Sequence, residues 1–405
     1  MTTTAQGTAA ALLRTLQAQR GEMVALLEDL VRAESPSHDA LAQRRPREIL
    51  ARALEGAGMR TRRVRSFTTG DHLLAIARSR RRGAPHQLLL GHIDTVWPAG
   101  TLAEMPFAVR DDRAHGPGTA DMKGGLVAIV FALRALHELG LEPAVTPVVL
   151  VNADEEVGSP DARRHHLRLA QGAERAFVLE CGEGARGALK IARKGLGRFT
   201  VCAHGRSSHA GVAPEEGVSA ILELSHQVQR LFALNDPAHG VTVNVGTIDG
   251  GFGPNVVADR ARAVVDVRVP TLAAAAELEA RIRGLEPVLS GARIEVDGAL
   301  RRLPMEPTPR NRALLETAID LGTRVGLELE DAGLIGGGSD ANTTSALTAT
   351  LDGLGPVGAG SHARDEHVDL ASLPARTALL ALLLLEPAGS TDRTPAGGSG
   401  TPGRG

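Results

Sequence analysis

Residues 87–94 read Gln-Leu-Leu-Leu-Gly-His-Ile-Asp and carry an apolar run directly into two polar side chains. The run predicts a buried strand over residues 87–90, and His92 and Asp94, two positions apart, share one face of an extended segment. A histidine that binds a metal needs a carboxylate or carbonyl on its second ring nitrogen, and Asp94 can provide it. The His-x-Asp pattern alone is weak, because a hydrogen-bonded histidine at a strand end is commoner.

The chain around this segment alternates helices and strands. An amphipathic helix is predicted over residues 8–33, and further elements are a helix at 124–139 and strands at 145–151 and 176–179. This alternation is typical of an α/β sheet that is covered by helices on both faces.

The order of elements changes after Gly195. The patterns predict, in turn, a strand at 198–203, a helix at 215–234, strands at 241–248 and 261–269, a helix at 272–289 and a strand at 293–296. This βαββαβ order is the ferredoxin-like arrangement and would fold around its own core.

The prolines of residues 301–309 indicate a linker back to the first domain, and a last helix is predicted at 373–385. We therefore predict a discontinuous catalytic domain at 1–194 and 308–388, and an inserted lid or dimerisation domain at 195–307. In residues 387–405, 14 of 19 positions are Pro, Gly, Ser or Thr. We expect a disordered tail at 389–405.

Composition excludes several classes of function. The 405 residues contain 45 Lys and Arg against 47 Asp and Glu, so the net charge of −2 argues against nucleic acid or an anionic membrane as partner. With 7 Phe, 1 Trp and 0 Tyr, a base-stacking platform is not expected. Cys181 and Cys202 alone cannot build a disulfide framework or a cysteine-rich metal site. The first residues do not read as a secretory signal and no apolar run could span a bilayer, so we expect a cytoplasmic protein.

Acidic side chains follow the other strands. A glycine-rich turn at 116–125 delivers Asp121 to the start of a helix, where it could also be a simple cap. The strand at 145–151 leads to Glu155 and Glu156, for which a solvated acidic turn is the alternative. Glu180 ends the strand at 176–179, with Glu183 as a rival.

Two glycine-rich loops lie near the end of the chain. Gly337 and Ser339 belong to a Gly-Gly-Gly-Ser-Asp run that lacks the Lys-Ser/Thr of a phosphate loop, so we interpret it as a close backbone approach to a ligand. His362 lies between glycines, with His367 as a weaker second candidate. Imidazoles and carboxylates on loops after strands predict a Zn, Co or Mn site without thiolate ligands.

Together these motifs resemble the zinc-dependent carboxypeptidase, aminoacylase and deacylase family of co-catalytic metallopeptidases, most closely its glutamate carboxypeptidase branch. The resemblance covers nearly the whole chain and implies a mixed-sheet α/β/α catalytic domain with an inserted ferredoxin-like lid or dimerisation domain. The motifs that carry it are residues 91–96, 116–125, 154–159, 208–211 and 266–268, and His362.

The resemblance also implies a metal centre. Asp121 would bridge two Zn²⁺ ions per subunit, with Co²⁺ or Mn²⁺ as possible substitutes. His92 and Glu180 would complete one site, and Glu156 and His362 the other. A cis peptide bond between Asp121 and Met122 is a further expectation.

Catalytic and substrate-binding roles follow from the same resemblance. Glu155 would be the general base and Asp94 would orient His92. His209 would reach the active site of a neighbouring subunit to stabilise the oxyanion. Arg268 would grip a substrate carboxylate, the alternative being an ordinary strand arginine, and Asn255 would be a polar contact.

The expected function is hydrolysis of an amide bond in a small peptide or N-acyl amino acid, with release of a C-terminal amino acid. A deacylase or dipeptidase on the same site stays open, as do a binuclear phosphoesterase and a metal-binding protein without catalysis. The phosphoesterase would need additional basic phosphate clamps, and the non-catalytic protein would be expected to lack Glu155. Because His209 has no local catalytic partner, we predict a homodimer through the inserted domain.

Overall fold

The computed structural model describes residues 2–78, 80 and 83–389. Apart from Gly389, the tail predicted at 389–405 lies outside these residues. The α-helices are α1 (Thr2–Ala18), α2 (Arg20–Arg32), α3 (Arg44–Gly56), α4 (Gly124–Glu138), α5 (Arg163–Ala170), α6 (Ala220–Phe232), α7 (Leu272–Arg283), α8 (Pro309–Thr323), α9 (Ala341–Thr344) and α10 (Ser372–Leu385). In the described part of the chain, no helix combines the length and apolarity needed to cross a membrane.

Short and long strands complete the fold. They are β1 (Met59–Val64), β2 (His72–Ala77), β3 (His86–His92), β4 (Ala108–Arg110), β5 (Arg113–His115), β6 (Thr146–Asn152), β7 (Ala173–Val178), β8 (Ala192–Arg193), β9 (Gly195–His204), β10 (Thr242–Gly250), β11 (Arg260–Val269), β12 (Arg293–Arg302), β13 (Leu334–Ile335), β14 (Ala349–Leu351), β15 (Gly358–Ala359) and β16 (His367–Asp369).

A six-stranded mixed sheet forms the larger body, in the order β1-β2-β6-β3-β7-β14. Strands β6, β3, β7 and β14 are parallel, whereas β1 and β2 are antiparallel to their neighbours. Alternate residues enter two cores: Leu89 packs with α1, α4 and α10, while Leu88 and Leu90 face α5 and α9. Both faces of the sheet are therefore covered, and the α/β/α prediction is confirmed.

The inserted segment has a separate four-stranded antiparallel sheet, in the order β10-β11-β9-β12. Helices α6 and α7 pack on it around a core of its own that includes Phe199, Val265 and Leu278. Its βαββαβ order confirms the ferredoxin-like prediction.

Several predicted boundaries were wrong. The opening helix is two helices that break at Gln19. The helix predicted from 215 begins at Ala220, because Ser219 caps it by accepting a hydrogen bond from the Leu222 amide. The predicted linker at 301–309 is shorter at both ends, since Arg302 still belongs to β12 and Pro309 opens α8.

Arg376 of α10 fixes the loops that follow the sheet. Its guanidinium is fully buried and donates hydrogen bonds to the backbone oxygens of Gly355, Gly187 and Gly353. The amide of Gly355 in turn donates to the backbone oxygen of Glu180 at 2.8 Å. One buried cation thus ties α10 to the loop that carries Glu180.

We expect Arg376→Met to lower the free energy of unfolding by about 3 kcal/mol, because three buried carbonyl groups lose their donor. The control is Arg14→Met on the exposed face of α1, with an expected change within about 0.5 kcal/mol. Urea unfolding followed by circular dichroism measures both. Equal midpoints for the two variants would contradict this role of Arg376.

Candidate metal centre

The parallel strands β3, β6 and β7 end at the same edge of the sheet, and the loops after them meet there. His92 closes β3 and is 1% exposed. Its Nδ1 donates to the backbone oxygen of Asp94 at 3.0 Å, and its Nε2 lies 3.1 Å from Asp121 Oδ1. The ring is therefore held through Nδ1 and presents Nε2 to Asp121, the arrangement expected of a metal ligand.

Asp94 does more than face His92. Its carboxylate accepts hydrogen bonds from the amides of Glu155 and Glu156, at 3.1 and 3.2 Å, and from the Ser37 hydroxyl at 2.8 Å. The carboxylate of Asp94 therefore fixes the acidic turn after β6, and its backbone oxygen holds the ring of His92.

Glu366 holds the turn that carries Asp121. Its buried carboxylate accepts hydrogen bonds from the amides of Gly118, Ala120 and Asp121 at 2.9 to 3.0 Å. The Asp121–Met122 peptide bond is cis, as the resemblance led us to expect. Glu366 was missed in the sequence because nothing in its spacing connects it to a turn that lies more than 240 residues earlier.

Close packing at Gly125 brings the start of α4 against the loop that carries Glu180. A Cβ atom at this position would collide with the backbone oxygen of Leu179. Glycine therefore allows Asp121 and Glu180 to approach the same point.

Five side chains form two overlapping groups at this edge. His92, Asp121 and Glu180 make one group, and Asp121, Glu156 and His362 make the other; within each group the candidate ligand atoms lie within 4.8 Å of one another. Asp121 belongs to both, with Oδ1 toward His92 and Oδ2 3.3 Å from His362 Nε2. The same His362 nitrogen lies 3.1 Å from Glu156 Oε2.

The charges and donors fit two divalent cations. Burial raises the pKa values of Glu156 and Glu180. Burying a charged carboxylate is costly unless a cation faces it. Hydrogen bonds with Asp121 and Glu156 raise the pKa of His362 to about 10. Glu156 Oε1 is buried and finds no hydrogen-bond partner in the described part of the chain. Nitrogen and oxygen donors without thiolate are the set that Zn²⁺, Co²⁺ or Mn²⁺ accepts.

Glu155 lies beside these groups without belonging to either. Burial raises the pKa of its carboxyl, while the Arg302 guanidinium opposes that shift. Arg302 Nη1 lies 2.8 Å from Glu155 Oε1, and Nη2 donates to the Glu155 backbone oxygen at 3.0 Å. Arg302 was not predicted as a site residue because residues 301–309 were interpreted as a linker.

Arg302 is part of a buried polar network behind Glu155. Its Nη2 also donates to the Ser159 hydroxyl at 3.1 Å, and its Nη1 lies 3.4 Å from Asp340 Oδ1. Ser159 donates in turn to Asp340. Because Arg302 is the last residue of β12, this network connects the inserted segment directly to the base candidate.

Two cavities open from the metal centre. One of about 690 Å³ contains Asp121, Glu155, Glu156, Glu180 and His362, and the other, of about 720 Å³, extends toward the inserted segment. Arg268 lines the second cavity, and Gly337 lines both. Glu183 pairs with Lys190 at 3.1 Å and is in neither metal group, so it does not rival Glu180.

The other predicted residues belong to neither metal group in the described structure. His209 and Asn255 are exposed on the inserted segment and line neither cavity. Ser339 is 1% exposed, and its hydroxyl donates to Asp352 at 2.7 Å, so the structure gives it a supporting position rather than a substrate contact. His367 lines the first cavity but bonds the Asp365 backbone oxygen and is in neither metal group.

Comparison with known proteins places this site in a family. The model of peptidase family M20/M25/M40 matches residues 88–386. The chain belongs to this family. Carboxypeptidase G2 of Pseudomonas sp. (strain RS-16) is 30% identical over 374 residues, which are 90% of this chain and 89% of the relative. The succinyl-diaminopimelate desuccinylase of Xanthomonas campestris pv. campestris is also 30% identical, over 83% of this chain and 92% of its own length.

Solved structures show the same fold. The YXEP protein of Bacillus subtilis, described as a dinuclear metal-binding peptidase of family M20, has a TM-score of 0.69 at 16% identity and covers 91% of this chain and 98% of its own. Membership of the M20 family makes this chain a metal-dependent hydrolase of the peptidase and amidohydrolase type. The family predicted in the sequence analysis is confirmed.

Asp121→Asn tests the shared position of Asp121. We expect bound metal to fall from about two ions per chain to well below one, because both groups lose the same carboxylate. Metal analysis after dialysis measures this. Asp369→Asn is the control, since Asp369 lines the same cavity and belongs to neither group, and it should keep the wild-type metal content. An Asp121→Asn variant with full metal content would contradict the shared position.

Arg302→Met tests the contact with Glu155. We expect kcat to fall roughly tenfold to a hundredfold with metal content unchanged, because the base loses the group that fixes its orientation. Arg302→Lys, which keeps the charge but not the two-pronged geometry, should recover part of the loss. A wild-type kcat for Arg302→Met would show that Glu155 does not depend on this contact.

Proposed function

We propose that this chain is a di-zinc exopeptidase that hydrolyses an amide bond and releases a C-terminal amino acid, in the manner of a glutamate carboxypeptidase. The observation that carries the proposal is the position of Asp121 in both three-residue groups, with Glu155 in the same cavity and outside both. The carboxypeptidase named among the relatives supports the exopeptidase assignment.

The residues would divide the chemistry among them. His92, Asp121, Glu180, Glu156 and His362 would hold two zinc ions, which supply a water of lowered pKa and polarise the scissile carbonyl when bound. Glu155 would accept the proton of the attacking water and return it to the leaving amine. Burial raises the pKa of the Glu155 carboxyl, and a raised pKa makes the carboxylate a better proton acceptor.

Substrate contacts would come from the side of the inserted segment. Arg268 Nε donates to Asp266 at 2.9 Å, and this holds the guanidinium against the second cavity. We assign it the free carboxylate of the substrate, which a planar two-pronged donor recognises well. Gly337 would offer close backbone approach where the two cavities meet. Ser339 is withdrawn from this set because it is buried against Asp352.

An N-acyl-amino-acid deacylase or dipeptidase on the same site is the second candidate. The desuccinylase among the relatives is as similar in identity as the carboxypeptidase, and its name describes removal of an acyl group. The same metal groups and base would serve either reaction, so the difference lies in what the cavity walls accept. A non-catalytic metal-binding protein is disfavoured because Glu155 is present and lies mostly buried beside both groups.

A substrate panel distinguishes these reactions. We expect the zinc-loaded protein to release glutamate or another C-terminal amino acid from N-acyl and peptidyl substrates, and a chelator to abolish that activity. Acylated amino acids, dipeptides and C-terminal amides are compared by product analysis. Amides should not be cleaved, because they lack the carboxylate assigned to Arg268. No chelator-sensitive hydrolysis of any member would defeat the proposal.

Glu155→Gln is the matched variant for the same assay. It keeps the size and hydrogen-bonding shape of the side chain but cannot accept the proton, so we expect kcat to fall by about a hundredfold or more with metal content unchanged. Turnover near the wild-type rate in the metal-loaded variant would show that Glu155 is not the base.

We also propose a homodimer through the inserted domain, in the cytoplasm. Strand β10 is an edge strand, and Ile248 on it is 60% exposed. Ile221 and Leu222 on the adjacent α6 are each 49% exposed. An apolar edge of this kind favours pairing with a second copy. The free state of Cys181 and Cys202 agrees with a reducing compartment.

Two variants separate assembly from chemistry. Ile248→Asp should give a monomer by light scattering and lose most activity, because His209 could no longer reach a partner's site. His209→Asn should stay dimeric, with kcat lowered roughly a hundredfold by the loss of an oxyanion donor. A fully active monomer would contradict both the dimer and the role of His209.

A further inference from the structure

A second region of the chain combines a cavity with an unusual distribution of charge. A cavity of about 540 Å³ lies between the antiparallel edge of the large sheet and α5. His86 is part of its wall and opens β3, whereas His92 closes that strand, so about 20 Å separate this wall from the metal centre. The cavity is therefore distinct from the two that open on the metal groups.

The floor of the cavity is apolar. Val64 of β1, Leu74 and Ile76 of β2 and Leu150 of β6 point to the same face of the sheet and line it. On this face α5 and α9 pack against β7, toward the other edge of the sheet. Val64 and Ile76 are accordingly only half-buried, and their apolar surface is open to the cavity.

The rim of the cavity is cationic. Arg62, Arg80 and Arg168 line it together with His86 and His165, and the described lining contains no carboxylate. Among the described residues none of these three arginines forms an ion pair with an acid, whereas Arg63, the next residue on β1, pairs with Asp71 at 3.2 Å.

Arg80 is held by a hydrogen bond to His86 but forms no ion pair in the described structure. His86 Nε2 donates to the Leu169 backbone oxygen at 3.0 Å, so its Nδ1 accepts from Arg80 Nη2 at 3.4 Å. Burial lowers the pKa of His86, and the nearby Arg80 lowers it further, so the ring is neutral near pH 7. Arg80 Nε is buried and has no hydrogen-bond partner in the described structure. The guanidinium thus has no acidic partner among the described residues and has a donor that is not used.

An apolar floor below a cationic rim matches one class of small molecule. A simple inorganic anion would leave the floor exposed, and an uncharged lipid would leave the arginines unpaired. A carboxylate with an apolar body satisfies both, since guanidinium groups bind carboxylates in a two-pronged geometry while the body covers the sheet face. We propose that this cavity is a binding site for an anionic amphiphile of the medium-chain carboxylate type.

Titration calorimetry on the full chain tests the site with decanoate as probe, below its micelle-forming concentration and at low salt. We expect saturable binding of decanoate, binding of decanol roughly tenfold weaker or more, and no measurable binding of acetate. If decanoate does not bind to the wild type, or if decanol binds equally well, the proposal is overturned.

Two variants connect binding to this cavity. Arg80→Gln with Arg168→Gln should weaken decanoate roughly tenfold or more, and Ile76→Asp should abolish binding by placing a carboxylate in the floor. The control is Arg14→Gln with Arg45→Gln, two exposed arginines outside the cavity, which should bind as the wild type. Circular dichroism and metal content confirm that each variant is folded.

Inorganic phosphate is the last probe in the binding experiment. If phosphate binds as tightly as decanoate and Ile76→Asp leaves its binding intact, the cavity is a plain anion site and the amphiphile assignment is wrong. If decanoate binds the double arginine variant as tightly as the wild type, its site lies elsewhere and the proposal fails.

Discussion

The half-buried carboxylate of Asp121 is the group on which the rest of the site depends. One oxygen faces His92 and the other faces His362, so a single side chain connects segments that lie 270 positions apart in the chain. Glu366 fixes the turn that carries this carboxylate by accepting hydrogen bonds from the backbone N–H groups of Gly118, Ala120 and Asp121. The parallel strands bring His92, Glu156 and Glu180 to the same edge, and the loop between β15 and β16 adds His362.

Arg302 connects the inserted segment to the base candidate in the larger body. It ends β12 of the inserted segment, yet its guanidinium lies against Glu155, Ser159 and Asp340 of the other body. A movement of the inserted segment would therefore displace a group that contacts Glu155 directly. Arg268 belongs to the same segment and lines the cavity beside it. The arginine proposed to bind the substrate carboxylate and the arginine that contacts Glu155 are thus carried by one sheet.

The sequence was sufficient for the features that depend on local pattern. The apolar runs that precede His92, Glu156 and Glu180 predict strands whose carboxyl ends meet. The βαββαβ order of the inserted segment is visible in the alternation of strand and helix patterns. The contacts of Glu366 and Arg302 could not be predicted, because each pairs with a segment distant in the chain and neither has a characteristic spacing. Ser339 shows the opposite error: its glycine-rich neighbourhood suggested a ligand contact, but the side chain turns inward to Asp352.

The account is tested most directly by diffraction from crystals grown with zinc, with data collected on both sides of the zinc absorption edge. We predict two anomalous peaks, one on each side of the Asp121 carboxylate, with His92 and Glu180 at the first and Glu156 and His362 at the second. A single peak, or two peaks of which neither contacts Asp121, would contradict the shared carboxylate and the two-metal site built on it.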